Sequence, residues 1–176
     1  IYSGRTLQIP GVPSALPAAS GGTALPAGPA VTPVAPSPSV TVLSPEMAIN
    51  ARTIIQVGRS LGVGEYGLII ALATAMQESS LRNLNYGDRD SLGLFQQRPS
   101  KGWGTAAQVT DPTYAARLFF GGPQGPNTGV TRGLLDIPGW QSQPVTRAAQ
   151  AVQRSGHPDA YAKWETSARS WLAQLR

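Results

Sequence analysis

The sequence predicts a mainly α-helical domain preceded by an extended segment rich in proline and alanine. Nine of the 16 prolines lie at or before Pro45, and Arg5 is the only charged residue before Glu46. Beyond that point, apolar residues recur with helical spacing in several stretches, and almost no stretch alternates as a strand does. The chain of 176 residues is long enough for one domain of about 130 residues with a real core, together with additional chain.

The amino-terminal segment, residues 1–43, consists mostly of Pro, Ala, Gly, Ser, Val and Thr. Proline every few residues prevents both helix and sheet hydrogen bonding, so we expect a semi-extended, polyproline-like spacer. Two interpretations are open: a disordered tail, or a tether that spans a layer of cell wall. We favour the tether, and we assign residues 44–176 to the folded domain.

The first two predicted helices contain the most apolar stretch of the domain. Residues 44–61 begin with Ser-Pro-Glu, which supplies an N-cap, a first-turn proline and an acid near the positive helix end, and they stop before Gly62. The second helix runs over residues 65–80. Its segment 68–76 is apolar on every face, which predicts a position in the centre of the core.

The remaining chain predicts three more helices separated by loops. Residues 82–104 form a polar loop with a short hairpin around residues 93–96, and residues 121–142 form a second loop rich in Gly and Pro. The three helices occupy residues 111–120, 144–155 and 158–175, each of which opens with a proline at or near its start.

Composition excludes several classes of protein. No stretch of 18 apolar residues exists, so no segment is expected to insert into a membrane. The chain has no cysteine, and His157, its one histidine, has no partner at ligand spacing, so we expect neither a metal nor a cofactor. The net charge of +5 favours polyanionic partners. Because Lys and Arg are scattered singly, without a basic block, nucleic acid is not an expected partner.

Glu78 is the candidate catalytic residue. It directly follows the apolar segment of the second helix, so its carboxyl lies beside low-dielectric core and near the negative end of the helix dipole. Both effects disfavour ionisation and predict a raised pKa. A raised carboxyl pKa suits general-acid cleavage of a glycosidic bond near neutral pH. The alternative is a glutamate that merely ends a helix and points into solvent.

A second motif, Gly-Leu-Phe-Gln-Gln at residues 93–97, begins 15 residues after Glu78 and follows a polar turn at residues 86–91. A Gly-kinked segment that presents the amide of Gln96 near an acid forms a plausible cleft. The alternative is an ordinary hairpin whose apolar side chains belong to the core.

The two motifs together resemble those of soluble lytic transglycosylases and goose-type lysozymes. That family places Glu-Ser at the end of a buried helix and follows it with Gly-Leu-Met-Gln. This chain has Glu-Ser at residues 78–79 and Gly-Leu-Phe-Gln at residues 93–96. Asp-Pro at residues 111–112 resembles the start of the next transglycosylase helix, and Gly-Asp-Arg at residues 87–89 resembles a goose-type lysozyme tripeptide. The match covers about residues 46–165 and implies a lysozyme-like fold.

The resemblance implies cleavage of the β-1,4 bond between N-acetylmuramic acid and N-acetylglucosamine in peptidoglycan. Glu78 would protonate the glycosidic oxygen and then accept the proton of the muramoyl primary hydroxyl, which gives an anhydro end. If Asp88 instead positions a water, the outcome is hydrolysis with inversion. Gln96 would hold an acetamido group. The full set of residues that the resemblance places near substrate is Ser79, Asp88, Gly93, Leu94, Phe95 and Gln96.

The sequence departs from the family pattern in two places. The late Ala-Tyr-Asn motif, whose tyrosine reaches the catalytic glutamate, corresponds at best to residues 151–153, where Val152 has no hydroxyl. Tyr161, in the next helix, is the candidate replacement. Arg98 stands where goose-type lysozymes carry an acid. A peptidoglycan-binding or structural wall module without catalysis therefore remains an alternative.

The expected partner is the glycan strand of peptidoglycan, so the expected location is outside the cell or at its wall. The first residue, Ile1, fits a processed or shortened chain, and the lack of cysteine fits export without oxidative folding. Other partners in the wall machinery are not identified by the sequence.

Overall fold

A computed structural model of the protein describes residues 39–175. Within that range the chain forms six α-helices and four single-turn 3-10 segments, and no β-strand, which confirms the mainly helical class. The helices are α1 (Pro45–Ser60), α2 (Glu65–Ser79), α3 (Ala106–Val109), α4 (Pro112–Phe120), α5 (Val145–Gln153) and α6 (Glu165–Gln174). The 3-10 segments are Pro99–Lys101, Leu134–Asp136, Trp140–Ser142 and Ala162–Trp164. No helix in the described range is long and apolar enough to cross a membrane.

Helix α2 forms the centre of the core, as its apolar sequence predicts. Residues 67–76 are buried without interruption, and α2 contacts α1, α5 and α6. The close approach of α1 depends on Gly58, because a Cβ there would collide with Leu68 of α2 and with Phe120 of α4. Phe119 of α4 stacks on Phe95 with ring centroids 4.5 Å apart. The carboxyl-terminal turn of α2 therefore emerges from a tightly packed interior.

Four predicted helices, those now labelled α1, α2, α4 and α5, are confirmed to within two residues at each end. The prediction for the last helix was wrong at its start. Pro158 begins a turn, not a helix, and α6 starts only at Glu165. The physical reason is that Tyr161, which is fully buried, is directed into the interior from this irregular turn. A tertiary contact therefore overrides the local helix-start pattern.

Two local features differ from the prediction: a short helix that was not expected, and a hairpin that is smaller than expected. The short helix α3 begins with a capping box in which Thr105 and Gln108 bond each other's backbone N–H groups. The hairpin around residues 93–96 is reduced to one antiparallel bridge between Leu92 and Gln97.

Asp136 joins two distant points of the loop at residues 121–142. The carboxyl of Asp136 accepts hydrogen bonds from the N–H groups of Gly122, at 3.1 Å, and Gly133, at 2.8 Å. The backbones of Gly121 and Gly133 lie so close together that a Cβ on either would collide with the other. This long connection is therefore an organised part of the domain.

The amino-terminal end of the described chain is joined to α6. The N–H of Thr41 donates to Ser167 Oγ at 3.1 Å, and the indole Nε1–H of Trp171 donates to the Thr41 carbonyl at 2.7 Å. Ser167 and Trp171 are both buried. Residues 1–38 of the predicted extended segment lie outside the described residues.

Candidate active site

Glu78 lies in the last turn of α2 and is partly buried. The phenol of Tyr161 donates a hydrogen bond to Glu78 Oε1 at 2.7 Å, although the two residues are 83 positions apart. Tyr161 is itself fully buried. The structure thus brings together the predicted acid and the tyrosine that was proposed as the replacement for Val152.

Burial raises the pKa of Glu78 above its ordinary value, and this desolvation is the largest influence on it. The hydrogen bond from Tyr161 and the electrostatic influence of His157 act in the opposite direction without cancelling it. Burial, followed by the charge of Glu78, also raises the pKa of Tyr161, so its phenol stays protonated and remains a donor. The raised pKa predicted from the sequence therefore has the right direction.

A second hydrogen bond fixes the end of α2 from the same segment of chain. The indole Nε1–H of Trp164 donates to Gln77 Oε1 at 2.9 Å. Trp164 ends the 3-10 segment Ala162–Trp164, which directly follows Tyr161. One turn of chain thus bonds both Glu78 and its neighbour Gln77, a paired contact that the sequence pattern did not reveal.

Ser79 joins α2 to the Gly-Leu-Phe-Gln turn and is buried. Its hydroxyl lies 2.8 Å from the carbonyl of Leu94 and 3.0 Å from that of Ala75. A hydroxyl has one proton, so these two carbonyls share it. This arrangement favours a role for Ser79 in fixing the helix end beside Glu78.

The side chains of Leu94 and Phe95 are also fully buried, which leaves only their backbone groups for contact with a substrate.

Gln96 is partly buried, and its side chain is tied into the turn. Its Nε2 group lies 3.2 Å from the carbonyls of Tyr86 and Gly93, and its Oε1 lies against Gly87, where a Cβ would collide with it. Gln96 itself has a left-handed backbone, with φ of 48°. The amide is therefore presented in a defined orientation, because both its backbone and its side chain are constrained.

Replacing Gly93 with alanine is expected to destabilise the fold by about 2 kcal/mol or more. Gly93 has φ of 76°, and a Cβ there would collide with the backbone carbonyl of Val109. Thermal unfolding measures the effect. Gly139→Ala is the matched control, since Gly139 has φ of 69° but no atom lies within 4 Å of the place that its Cβ would take. Equal losses in both variants would show that the contact with Val109 does not matter.

The acidic residues of the polar turn have different environments. Asp88 is exposed, and among the described residues no hydrogen bond or ion pair holds its carboxylate. Asp90 accepts hydrogen bonds from the Ser100 N–H and from Arg98 Nε, each at 2.7 Å. These contacts hold the pKa of Asp90 well below its usual range. Asp90 thus organises the loop, whereas Asp88 contributes only its backbone carbonyl, which accepts from the Ser91 N–H at 3.0 Å.

A cleft of about 470 Å³ adjoins the Gly-Leu-Phe-Gln turn. Its lining includes Gln96 and residues 151–154, at the end of α5. The amide of Gln153 donates to the Phe95 carbonyl at 2.8 Å and so joins α5 to the turn. Glu78 is not among the lining residues; its neighbour Ser79 contacts the carbonyl of Leu94, two positions before Gln96. Of the loop tryptophans, Trp103 lines the cleft and Trp140 is buried in the core.

No model of a known protein family matches this chain, and no curated protein matches it either. Among the residues that the structure describes, no cluster of His, Asp or Glu is placed to hold a metal ion. A functional proposal therefore depends on the arrangement of Glu78, Tyr161 and Gln96 and on the motifs that carry them.

Proposed function

We propose that this domain has a lysozyme-like fold and cleaves peptidoglycan as a lytic transglycosylase. The bond cleaved is the β-1,4 linkage between N-acetylmuramic acid and N-acetylglucosamine. One observation carries the proposal: the partly buried carboxyl of Glu78, whose pKa is raised by burial, receives the hydrogen bond of Tyr161 at the end of the central helix. The order of the Glu-Ser and Gly-Leu-Phe-Gln motifs supports the same function.

In the proposed reaction, the protonated carboxyl of Glu78 donates its proton to the glycosidic oxygen as the bond to the muramoyl C1 breaks. The neighbouring acetamido group, oriented by Gln96, assists at C1. The Glu78 carboxylate then takes the proton of the muramoyl primary hydroxyl, whose oxygen bonds to C1. The products are a glycan with a new N-acetylglucosamine end and a 1,6-anhydro end, and no water is consumed. Tyr161 holds the carboxyl in one orientation throughout.

The structure favours this outcome over hydrolysis with inversion. An inverting enzyme needs a second carboxylate that positions a water on the far side of the sugar, with the two carboxyl groups roughly 6.5–9.5 Å apart. Asp88 was the candidate, but it is exposed and no contact in the described chain fixes its carboxylate. We therefore propose that Glu78 acts alone, outside the cell or at its wall, on glycan strands.

Incubation with purified peptidoglycan is expected to release anhydro-muropeptides, which mass spectrometry identifies by the loss of one water relative to hydrolytic products. Release of fragments with reducing ends instead would assign hydrolysis, the lysozyme reaction. Binding to peptidoglycan without release of any fragment would overturn the proposal in favour of a wall-binding module.

A further inference from the structure

The fold brings several cationic side chains that are scattered along the sequence to the cleft beside Gln96. Its cationic lining residues are Arg98, Lys101, Arg132 and Arg154, and no acidic side chain lines it. Arg98 is neutralised by its ion pair with Asp90. The other three are exposed, and none has an ion pair within the described part of the chain. The cleft therefore holds three uncompensated cations.

These three cations come from separate parts of the fold. Lys101 ends a 3-10 segment, Arg132 lies in the long loop held by Asp136, and Arg154 caps α5 with a left-handed backbone, φ 51°. Charges of one sign around a concave site reinforce one another and attract anions from solution. A cleft of about 470 Å³ is also within the usual range for sites that enclose small ligands. The site thus suits a compact anionic group.

We propose that this cleft binds the carboxylates of the peptides that branch from the muramic acid residues of the glycan. The inference rests on the proposed function. The acetamido group and the peptide-bearing lactyl group occupy neighbouring carbons of the muramoyl ring. If Gln96 holds the acetamido group, the peptide of the same sugar extends into the space that Gln96 lines. The three cations stand in that space.

The shape of the site favours a peptide over a phosphate polymer or nucleic acid. A long polyanion is typically bound by a basic stripe that follows its backbone. Here the cations converge on one cleft that also holds the amides of Gln96 and Gln153 and a single partly buried aromatic residue, Trp103. Amides and cations together match the backbone and the carboxylates of a short acidic peptide.

Binding of a soluble disaccharide muropeptide tests the proposal without depending on catalysis, because N-acetylglucosaminyl-N-acetylmuramoyl-peptide lacks the bond that would be cut. Calorimetry at low salt compares this ligand with one whose carboxylates are amidated. We expect wild-type protein to bind the free acid about tenfold more tightly. The preference should weaken as salt is added. Arg132→Gln/Arg154→Gln is expected to lose most of it.

The matched control is Arg52→Gln/Arg59→Gln, which removes the same charge from exposed positions on α1 and should keep the preference. Lys101→Gln provides a second variant if the double substitution in the cleft impairs folding. Equal affinity of the wild-type protein for both ligands, or a preference that survives in the cleft variant, would overturn the inference. Tighter binding of poly(glycerol phosphate) than of the muropeptide would overturn it in favour of a phosphate ligand.

The two proposals fail separately. A carboxylate preference that depends on Arg132 and Arg154, in a protein that releases no anhydro-muropeptides, would leave the cleft assignment standing and remove the catalytic one. Release of anhydro-muropeptides by a protein without that preference would do the reverse.

Discussion

Replacing Glu78 with glutamine is expected to lower the rate of peptidoglycan cleavage by two to four orders of magnitude, about 10²–10⁴-fold. Glutamine keeps the shape of the side chain and can still accept the hydrogen bond that Tyr161 donates. It can neither give a proton to the glycosidic oxygen nor take one from the muramoyl hydroxyl. The initial rate of anhydro-muropeptide release, followed by mass spectrometry, measures the loss.

Glu46→Gln is the control, because Glu46 is an exposed acid in the first turn of α1 whose only described ion pair is with Arg82 at 3.5 Å. This variant should cleave at the wild-type rate. Undiminished cleavage by Glu78→Gln would remove the catalytic role proposed for Glu78.

Stability separates a catalytic effect of this substitution from unfolding. Because burial raises the pKa of Glu78 in the folded state, its contribution to stability is complete below the ordinary value of 4.5 and is lost as pH rises through the folded-state pKa. Glu78→Gln should therefore unfold at a higher temperature than the wild type at neutral pH, with little difference in acid. If the variant is inactive but at least as stable as the wild type, the substitution has removed catalysis without unfolding the protein.

Replacing Tyr161 with phenylalanine is expected to reduce kcat about 10- to 100-fold, the loss associated with one hydrogen bond to a carboxyl group. The ring still fills its buried site, so the core stays intact. The lost hydrogen bond normally lowers the pKa of Glu78, so that pKa should rise further. A general acid acts in its protonated form, so the fall in rate with increasing pH should move to higher pH. The pH profile of kcat/KM measures this shift.

Tyr66→Phe is the matched control, since it also removes a phenol that donates to a partner, here the Gln143 carbonyl at 2.7 Å, without touching Glu78. A positioning role for Tyr161 predicts that only Tyr161→Phe displaces the pH profile. A profile that stays in place while thermal stability falls would assign Tyr161 a structural role alone.

The helices that could be predicted are those whose boundaries depend on nearby residues. Helices α1 and α4 begin with a side-chain cap and a proline, and α2 is apolar on every face over residues 68–76. The raised pKa of Glu78 followed from the same local pattern. The short helix α3 could also have been predicted, because Thr105 and Gln108 have the spacing of a capping box. Its four residues are too few to show a hydrophobic period.

The features that escaped prediction depend on which distant segments meet. The contact between Tyr161 and Glu78 was proposed only as a replacement for a missing tyrosine, and the bond between Trp164 and Gln77 was not foreseen. The cationic residues of the cleft gave no pattern because Lys101, Arg132 and Arg154 are separated by tens of residues. Only the folded chain places them around one cleft.

The attachment of Thr41 to α6 determines where mechanical load would enter the domain. A pull applied through the amino-terminal residues would reach the hydrogen bonds of Thr41 with Ser167 and Trp171 before it reached the first turn of α1. Helix α6 continues directly from the turn whose Trp164 bonds Gln77, the neighbour of Glu78. Tension that enters at Thr41 would thus reach α6 and the segment before it, which bonds Gln77 and Glu78.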